Sequence, residues 1–217
     1  MKDCVLFPIC IIHLLIYSII ELQNKSMRWY KNMSDCAFGT TDPIYKEYHD
    51  KEWGQPLHDS RKLFELMALE SQHAGLSWLT ILKKREAYRE AFYNFEPEKI
   101  ASMTDEDIDK LMEFPGIVHY RKKLEAIVSQ AKGYLEIEKI HGSFSKFLWA
   151  YVDFHPIDLH YKTPTDRITV DKRAKQMSKD LKKYGFKFMG PVTMFSFLEA
   201  AGLYDAHLED CPYKPKH

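Results

Sequence analysis

Two groups of residues in this 217-residue chain have types and spacings that could do chemistry. Cys36 and His49 are separated by twelve residues, and far downstream His207 and Cys211 stand at i and i+4. In a helix the second spacing puts both side chains on one face. Two thiolates and two imidazoles meet the tetrahedral, nitrogen-and-sulfur demand of a structural zinc ion. Two unrelated buried cysteines with two surface histidines have the same spacing, and spacing alone does not choose between these readings. A metal held there would tie the N-terminal segment to the C-terminal tail and stop both from fraying. The second group centres on Glu70, in Leu69-Glu70-Ser71-Gln72-His73, followed by the bend Ala74-Gly75-Leu76-Ser77 and then Trp78. A helical acid is ordinarily solvated, but Glu70 shares its turn with Met67 and adjoins the apolar run. Upstream, Tyr45, Tyr48 and Trp53 add rings that can stack on a heterocycle and still donate a hydrogen bond. Aromatics also fill cores, so the parts list of a pocket is all that these residues give by themselves.

The elements that must position these groups read as helices. From Ser60 onward the apolar positions recur at helical spacing, beginning with Leu63, Phe64, Leu66, Met67 and Leu69. Ser77 is placed to cap a second helix running to Phe92, and Pro97 to open a short third one. Thr104 with Asp107 resembles a capping box. The stretch Phe114-Pro115-Gly116-Ile117-Val118 breaks the pattern, and a helix resumes at about His119. Further helices are expected over Phe144 to Val152, Lys175 to Tyr184 and Pro191 to Gly202, with a long loop from Phe154 to Asp166. No strand alternation competes, so the fold class is all-α.

Bulk properties bound the partners. The chain has 31 basic and 31 acidic residues, so any affinity for nucleic acid comes from a local patch and not from a bulk positive field. With 45% hydrophobic and 14% aromatic residues it has ample material for a packed core. Its four cysteines suit a reducing, cytoplasmic compartment. Residues 5–20 form an uncharged apolar run shorter than the ~20 residues a spanning helix needs, with no small-residue cleavage site before Met33. Residues 1–32 are therefore expected to be an N-terminal extension outside the fold, with Met27 or Met33 as internal starts, and residues 33–217 the domain. No membrane partner is expected.

The segment from Leu111 to Lys123 (LMEFPGIVHYRKK) resembles the helix-hairpin-helix element of DNA glycosylases, although a plain interhelical turn would also contain Pro-Gly. Taken with DPIYKEYHDKEWG, LESQHAGLSWLTILKKREAYREAF, KKYGFKFMGPV and His207-x3-Cys211, the chain resembles the type I 3-methyladenine DNA glycosylase family from Cys36 to Cys211. The resemblance implies a helix-hairpin-helix glycosylase-like helical fold with a zinc site joining the two ends. It implies a monomeric, monofunctional enzyme that takes double-stranded DNA containing alkylated bases, hydrolyses the N-glycosidic bond of 3-methyladenine and leaves an abasic site. Glu70, with Tyr48, would be catalytic, Glu70 reading and orienting the damaged base. Tyr45, Trp53, Trp78 and Phe38 would bind it, Phe38 standing where the family has a tryptophan. Gly116, Arg121, Lys122 and Lys123 would meet the DNA backbone. Cys36, His49, His207 and Cys211 would hold one structural zinc. A non-catalytic, zinc-stapled DNA-binding module, using the same hairpin and the basic run Lys83-Lys84-Arg85, is the competing reading.

Overall fold

The computed structural model describes Cys36 and residues 38–216, so the apolar run at 5–20 and the two internal methionines lie outside the described residues. In chain order the helices are α1 (Pro43–Lys51), α2 (Ser60–His73), α3 (Trp78–Leu82), α4 (Arg85–Ala91), α5 (Pro97–Ala101), α6 (Asp105–Leu111), α7 (Arg121–His141), α8 (Phe144–Trp149), α9 (Lys172–Lys183) and α10 (Pro191–Ala200). Short 3-10 turns cover Tyr93–Phe95, Ala150–Val152 and Pro164–Asp166.

Local chemistry sets most boundaries. Asp59 caps α2 through Lys62 N, Ser77 caps α3 through Thr80 N, and Asp171 caps α9 through Ala174 N. Thr104 and Asp107 form the anticipated capping box on α6. Pro191 opens α10. The helix expected from Ser77 to Phe92 is divided into α3 and α4 at Lys83-Lys84. Helix α1 was not anticipated, although Asp42 accepting from Ile44 N and Pro43 in the first turn are an ordinary start signal.

Helix α7, 21 residues and about 31 Å long, runs through the core and buries Leu124, Ile127, Val128, Ala131 and Tyr134. Helices α2 and α5 pack on it, and α10 lies between α2 and α9. The all-helical expectation fails at one place: Ile157–Asp158 (β1) pairs in parallel with Tyr204–Asp205 (β2). Ile157 N donates to Leu203 O and Leu159 N to Asp205 O, each at 3.0 Å, so the loop expected over 154–166 fixes the C-terminal segment against the body. Among the described residues no helix is long and apolar enough to cross a membrane.

Candidate active site

Neighbouring side chains of helix α1 enter two different clusters, Tyr45 and Tyr48 one and His49 the other. In the first the rings form a continuous arc. Phe38 stacks on Tyr45 (5.7 Å, 23°), Tyr45 meets Tyr48 (6.3 Å), Tyr48 meets Trp78 (5.5 Å) and Trp78 meets His73 edge-on (5.6 Å). His73 Nδ1 lies 3.3 Å from Glu70 Oε2, so the arc ends on a carboxylate. The structure therefore brings Glu70, Tyr45, Tyr48, Trp53, Trp78 and Phe38 together from four separate segments.

Glu70 is only 3% exposed, and burial pushes its carboxyl above the ordinary glutamate range, with His73 opposing. Burial likewise raises Tyr48 well above a normal phenol and Tyr45 to about 12, the field of Glu70 adding to both. Both tyrosines therefore keep their protons and can donate. Trp78 Nε1 is buried with no hydrogen-bond partner. An indole N–H left unmet beside a buried acid is what a site awaiting a polar ligand looks like. Phe38 adopts φ 59°, a left-handed conformation that costs a non-glycine residue on the order of 1 kcal/mol.

Two charged residues near the arc escaped sequence reasoning. Arg167 lies with its guanidinium carbon 4.3 Å from the Phe38 ring centre and 5.5 Å from that of Trp53, and its Nη2 donates to Cys36 O at 2.9 Å. Glu199, on α10, is pushed up to about 8 by burial, with Arg167 opposing and Glu70 reinforcing the shift. An acid inside the apolar run PVTMFSFLEA was a readable signal for Glu199. Arg167 offered none, because its partner is 131 positions away.

His49 of α1 enters the second cluster, the clasp. Ligand atoms of Cys36, His49 and Cys211 lie within 4.8 Å of one another, and all three residues are buried. His49 Nε2 is 3.3 Å from Cys36 Sγ and 3.8 Å from Cys211 Sγ. The Cys36 thiol is pulled down to about 4, chiefly by the hydrogen bond from Cys211 and with help from His49, while Cys211 is driven up. His207 is fully buried beside them, its ring 5.2 Å from that of His49. Its i, i+4 relation to Cys211 is not helical as expected; a turn after β2 carries both, with Cys211 N donating to Leu208 O at 2.9 Å. His207 Nε2 has no partner, whereas its Nδ1 faces Asp205 Oδ1 at 3.3 Å and His49 Nδ1 faces Asp50 Oδ1 at 2.8 Å. A carboxylate on the distal nitrogen of each imidazole is the support that metal-binding histidines use. Gly54, at φ +73°, must lack a side chain here, because a Cβ would stand 2.5 Å from the His207 ring.

The hairpin region joins α6 to α7. Gly116 has φ +86° and packs where a Cβ would meet Ala87 Cβ at 2.8 Å, so the turn requires glycine. Lys122 is exposed. Arg121 is held by ion pairs to Asp109 and Glu125. Lys123 requires a correction: it does not face outward but is 7% exposed, with Nζ donating to Gln72 O and Ala74 O at 2.7 Å each. Its ammonium serves the unmet carbonyls at the end of α2, and Gln72 Nε2 returns a bond to Lys123 O at 2.9 Å. The basic run 83–85 is also engaged internally, Lys83 with Asp42, Lys84 with Gly116 O and Arg85 bidentately with Glu52.

The class of protein is thus a helical body carrying an arc of aromatic rings that ends on a buried carboxylate. The sequence pattern of the methyladenine glycosylase family matches residues 38–214, and the chain belongs to that family. It is 50% identical over 179 residues to the DNA-3-methyladenine glycosylase of Haemophilus influenzae, covering 82% of this chain and 97% of that one. The solved structure of 3-methyladenine DNA glycosylase I from Staphylococcus aureus, determined for its recognition of 3-methyladenine, is 74% identical. It superposes with a TM-score of 0.85 over 85% of this chain and 98% of that one. A variant of 3-methyladenine DNA glycosylase I in complex with 3-methyladenine gives 73% identity and a TM-score of 0.84, over 85% of this chain and 99% of that one.

Proposed function

We propose that this chain is a DNA-3-methyladenine glycosylase that works without lyase activity, in which Glu70 reads the damaged base. The observation that carries the reading is Glu70 itself: a carboxylate 3% exposed, whose hydrogen-bond contact among the described residues is His73 at 3.3 Å, at the end of a ring arc. A flipped nucleotide enters the arc, at an unstacking cost on the order of a few kcal/mol that is smallest for a damaged base. N3-alkylated adenine is cationic in the nucleotide. The rings of Tyr45, Tyr48, Trp53 and Trp78 attract it through their π faces, and ionised Glu70 accepts a charge-assisted hydrogen bond from its edge. Neutral adenine lacks the cation–π gain and brings no positive charge of its own to the carboxylate. The cationic base leaves as a neutral purine when the glycosidic bond breaks, water supplying the new sugar oxygen, so the site needs to hold and orient more than to donate a proton.

Schiff-base chemistry is disfavoured because the hairpin position that would carry a nucleophilic lysine holds Tyr120, and Lys123 is committed to two carbonyls. We further propose that Cys36, His49, Cys211 and His207 bind one structural zinc, supported by the donor set and by the orphaned His207 Nε2. The metal would supply stability between the chain ends and no step of the reaction. Gly116, Arg121 and Lys122 are proposed to meet the phosphate backbone, residues 33–217 to form the working domain with 1–32 as an extension, and the enzyme to act as a cytoplasmic monomer on duplex DNA. The test is incubation of the purified chain with methylated duplex and chromatography of the released purines. Free 3-methyladenine with uncleaved abasic strands is expected; absence of released base would overturn the assignment.

A further inference from the structure

We infer that Arg167 is a positioning residue of the base pocket, closing the Phe38 end of the ring arc and fixing the wall against which the purine stacks. The inference deepens the reading above and rests on it. The arc has two ends. One is held by the pair His73 and Glu70, inside a single helix. The other is Phe38, 43% exposed, on a positive-φ Phe38-Gly39 pair ahead of α1. A ring on such a turn keeps its place only if its surroundings impose it.

Three groups do so. Tyr45 stacks on Phe38, Trp53 meets it edge-on at 5.0 Å, and the Arg167 guanidinium lies over its ring at 4.3 Å. The first two are themselves pocket walls, so Arg167 is the external support. It arrives from the 3-10 turn Pro164–Asp166, held by the Thr163 and Asp166 capping box, and ties down the same strand of chain by donating to Cys36 O. Its planar cation suits both jobs, stacking on rings within about 6 Å while its edge donates. Lysine offers a point charge and no plane. The guanidinium plane over Phe38 adds to the flat surface at that position, which a larger ring there would supply by itself. Arg167 Nε is buried without an acceptor among the described residues, so its placement is not explained by hydrogen bonding alone. The slot thus has the Glu70 acid at one end and the Arg167 cation at the other.

The experiment compares the full chain with Arg167→Met, which keeps the stem and removes the plane, and Arg167→Lys, which keeps the charge. Free 3-methyladenine is titrated by tryptophan fluorescence, and turnover is measured on methylated duplex. Both variants should raise Kd and KM about fivefold while kcat stays within twofold, since stacking support acts on binding. Phe38→Trp placed on Arg167→Met should recover most of the loss. Zinc content and Tm should stay at the parent values. Parent-like Kd in Arg167→Met overturns the inference, as does a loss that follows Tm or metal content in proportion and is not recovered by Phe38→Trp. Failure of the parent chain itself to bind 3-methyladenine overturns the base-pocket reading and, with it, this inference.

Discussion

The two clusters that share α1 are built differently. In the His49 cluster nearly every polar atom is used: each imidazole has a carboxylate on one nitrogen, Leu208 N donates to Cys36 Sγ at 3.3 Å, and Lys214 lies 3.4 Å from Asp205. Among the described residues His207 Nε2 is the buried atom of this cluster without a hydrogen-bond partner. In the Tyr48 cluster, among the described residues, Trp78 Nε1 is unmatched and Glu70 has one hydrogen-bond contact, with His73 at 3.3 Å. A densely bonded cluster stabilises a fold, whereas a sparsely bonded one stores desolvation that a ligand can relieve. Trp53 is the common wall, 4.7 Å from His207 on one side and 5.0 Å from Phe38 on the other, so the clasp also braces the pocket.

The comparison breaks most sharply at Glu70. Glu70→Gln should lower kcat/KM for 3-methyladenine release by about 100-fold or more, the scale of losing a charged contact made in the reacting complex. Its Tm should hold or rise, because a buried, under-paired acid is removed; a large fall in Tm would instead place Glu70 among the structural groups. The mirror experiment is Cys211→Ser. Elemental analysis should fall from about one zinc per chain toward none, and calorimetry should show Tm lower by roughly 10 °C, the shift several kcal/mol produces in a chain of this size. A variant without metal that melts like the parent would remove the clasp from the ledger.

Smaller effects sharpen the boundary between the two kinds of site. Lys123→Met should destabilise by about 1–3 kcal/mol, since two carbonyls lose their donor, yet leave the salt dependence of DNA binding unchanged. Lys122→Ala should do the reverse and lower the slope of log K against log salt by about 0.9. A salt slope altered in Lys123→Met would restore it to the DNA face. Trp78→Phe keeps a ring and drops the unmatched N–H, so 3-methyladenine affinity should weaken only a few fold, by about one modest hydrogen bond, with no loss of Tm.

The mildest test is pH. Glu199 has a folded pKa raised to about 8, so the folded state holds a proton that the unfolded chain has released. Stability from this group is complete below the ordinary glutamate range and is lost as pH rises through about 8. Tm measured from pH 5 to 9 should fall with a contribution of at most about 1.4 kcal/mol per pH unit, and Glu199→Gln should flatten that part of the curve. An unchanged curve would show that Glu199 is not held neutral.

Helix caps, the buried stripe of α2, the four metal-type residues and the acid among rings could all be read from the chain, because each depends on neighbours within a turn or on side-chain chemistry that does not change with context. Spacing could propose that Cys36 and Cys211 meet, but only folding brings them together, through the β1 and β2 pairing that fixes the tail. Lys123 shows the limit from the other direction. Its place in Arg121-Lys122-Lys123 reads as a phosphate-facing charge, but helix α7 turns it inward to the carbonyls of α2, and only the packing of two helices decides that. Arg167 lies further still from local rules: its rings and its acceptor come from segments more than a hundred residues away. The sequence by itself determined which chemistry this protein can do. Tertiary structure decided which charges remain available to do it, because burial and long-range pairing, unlike propensity, are properties of the folded whole.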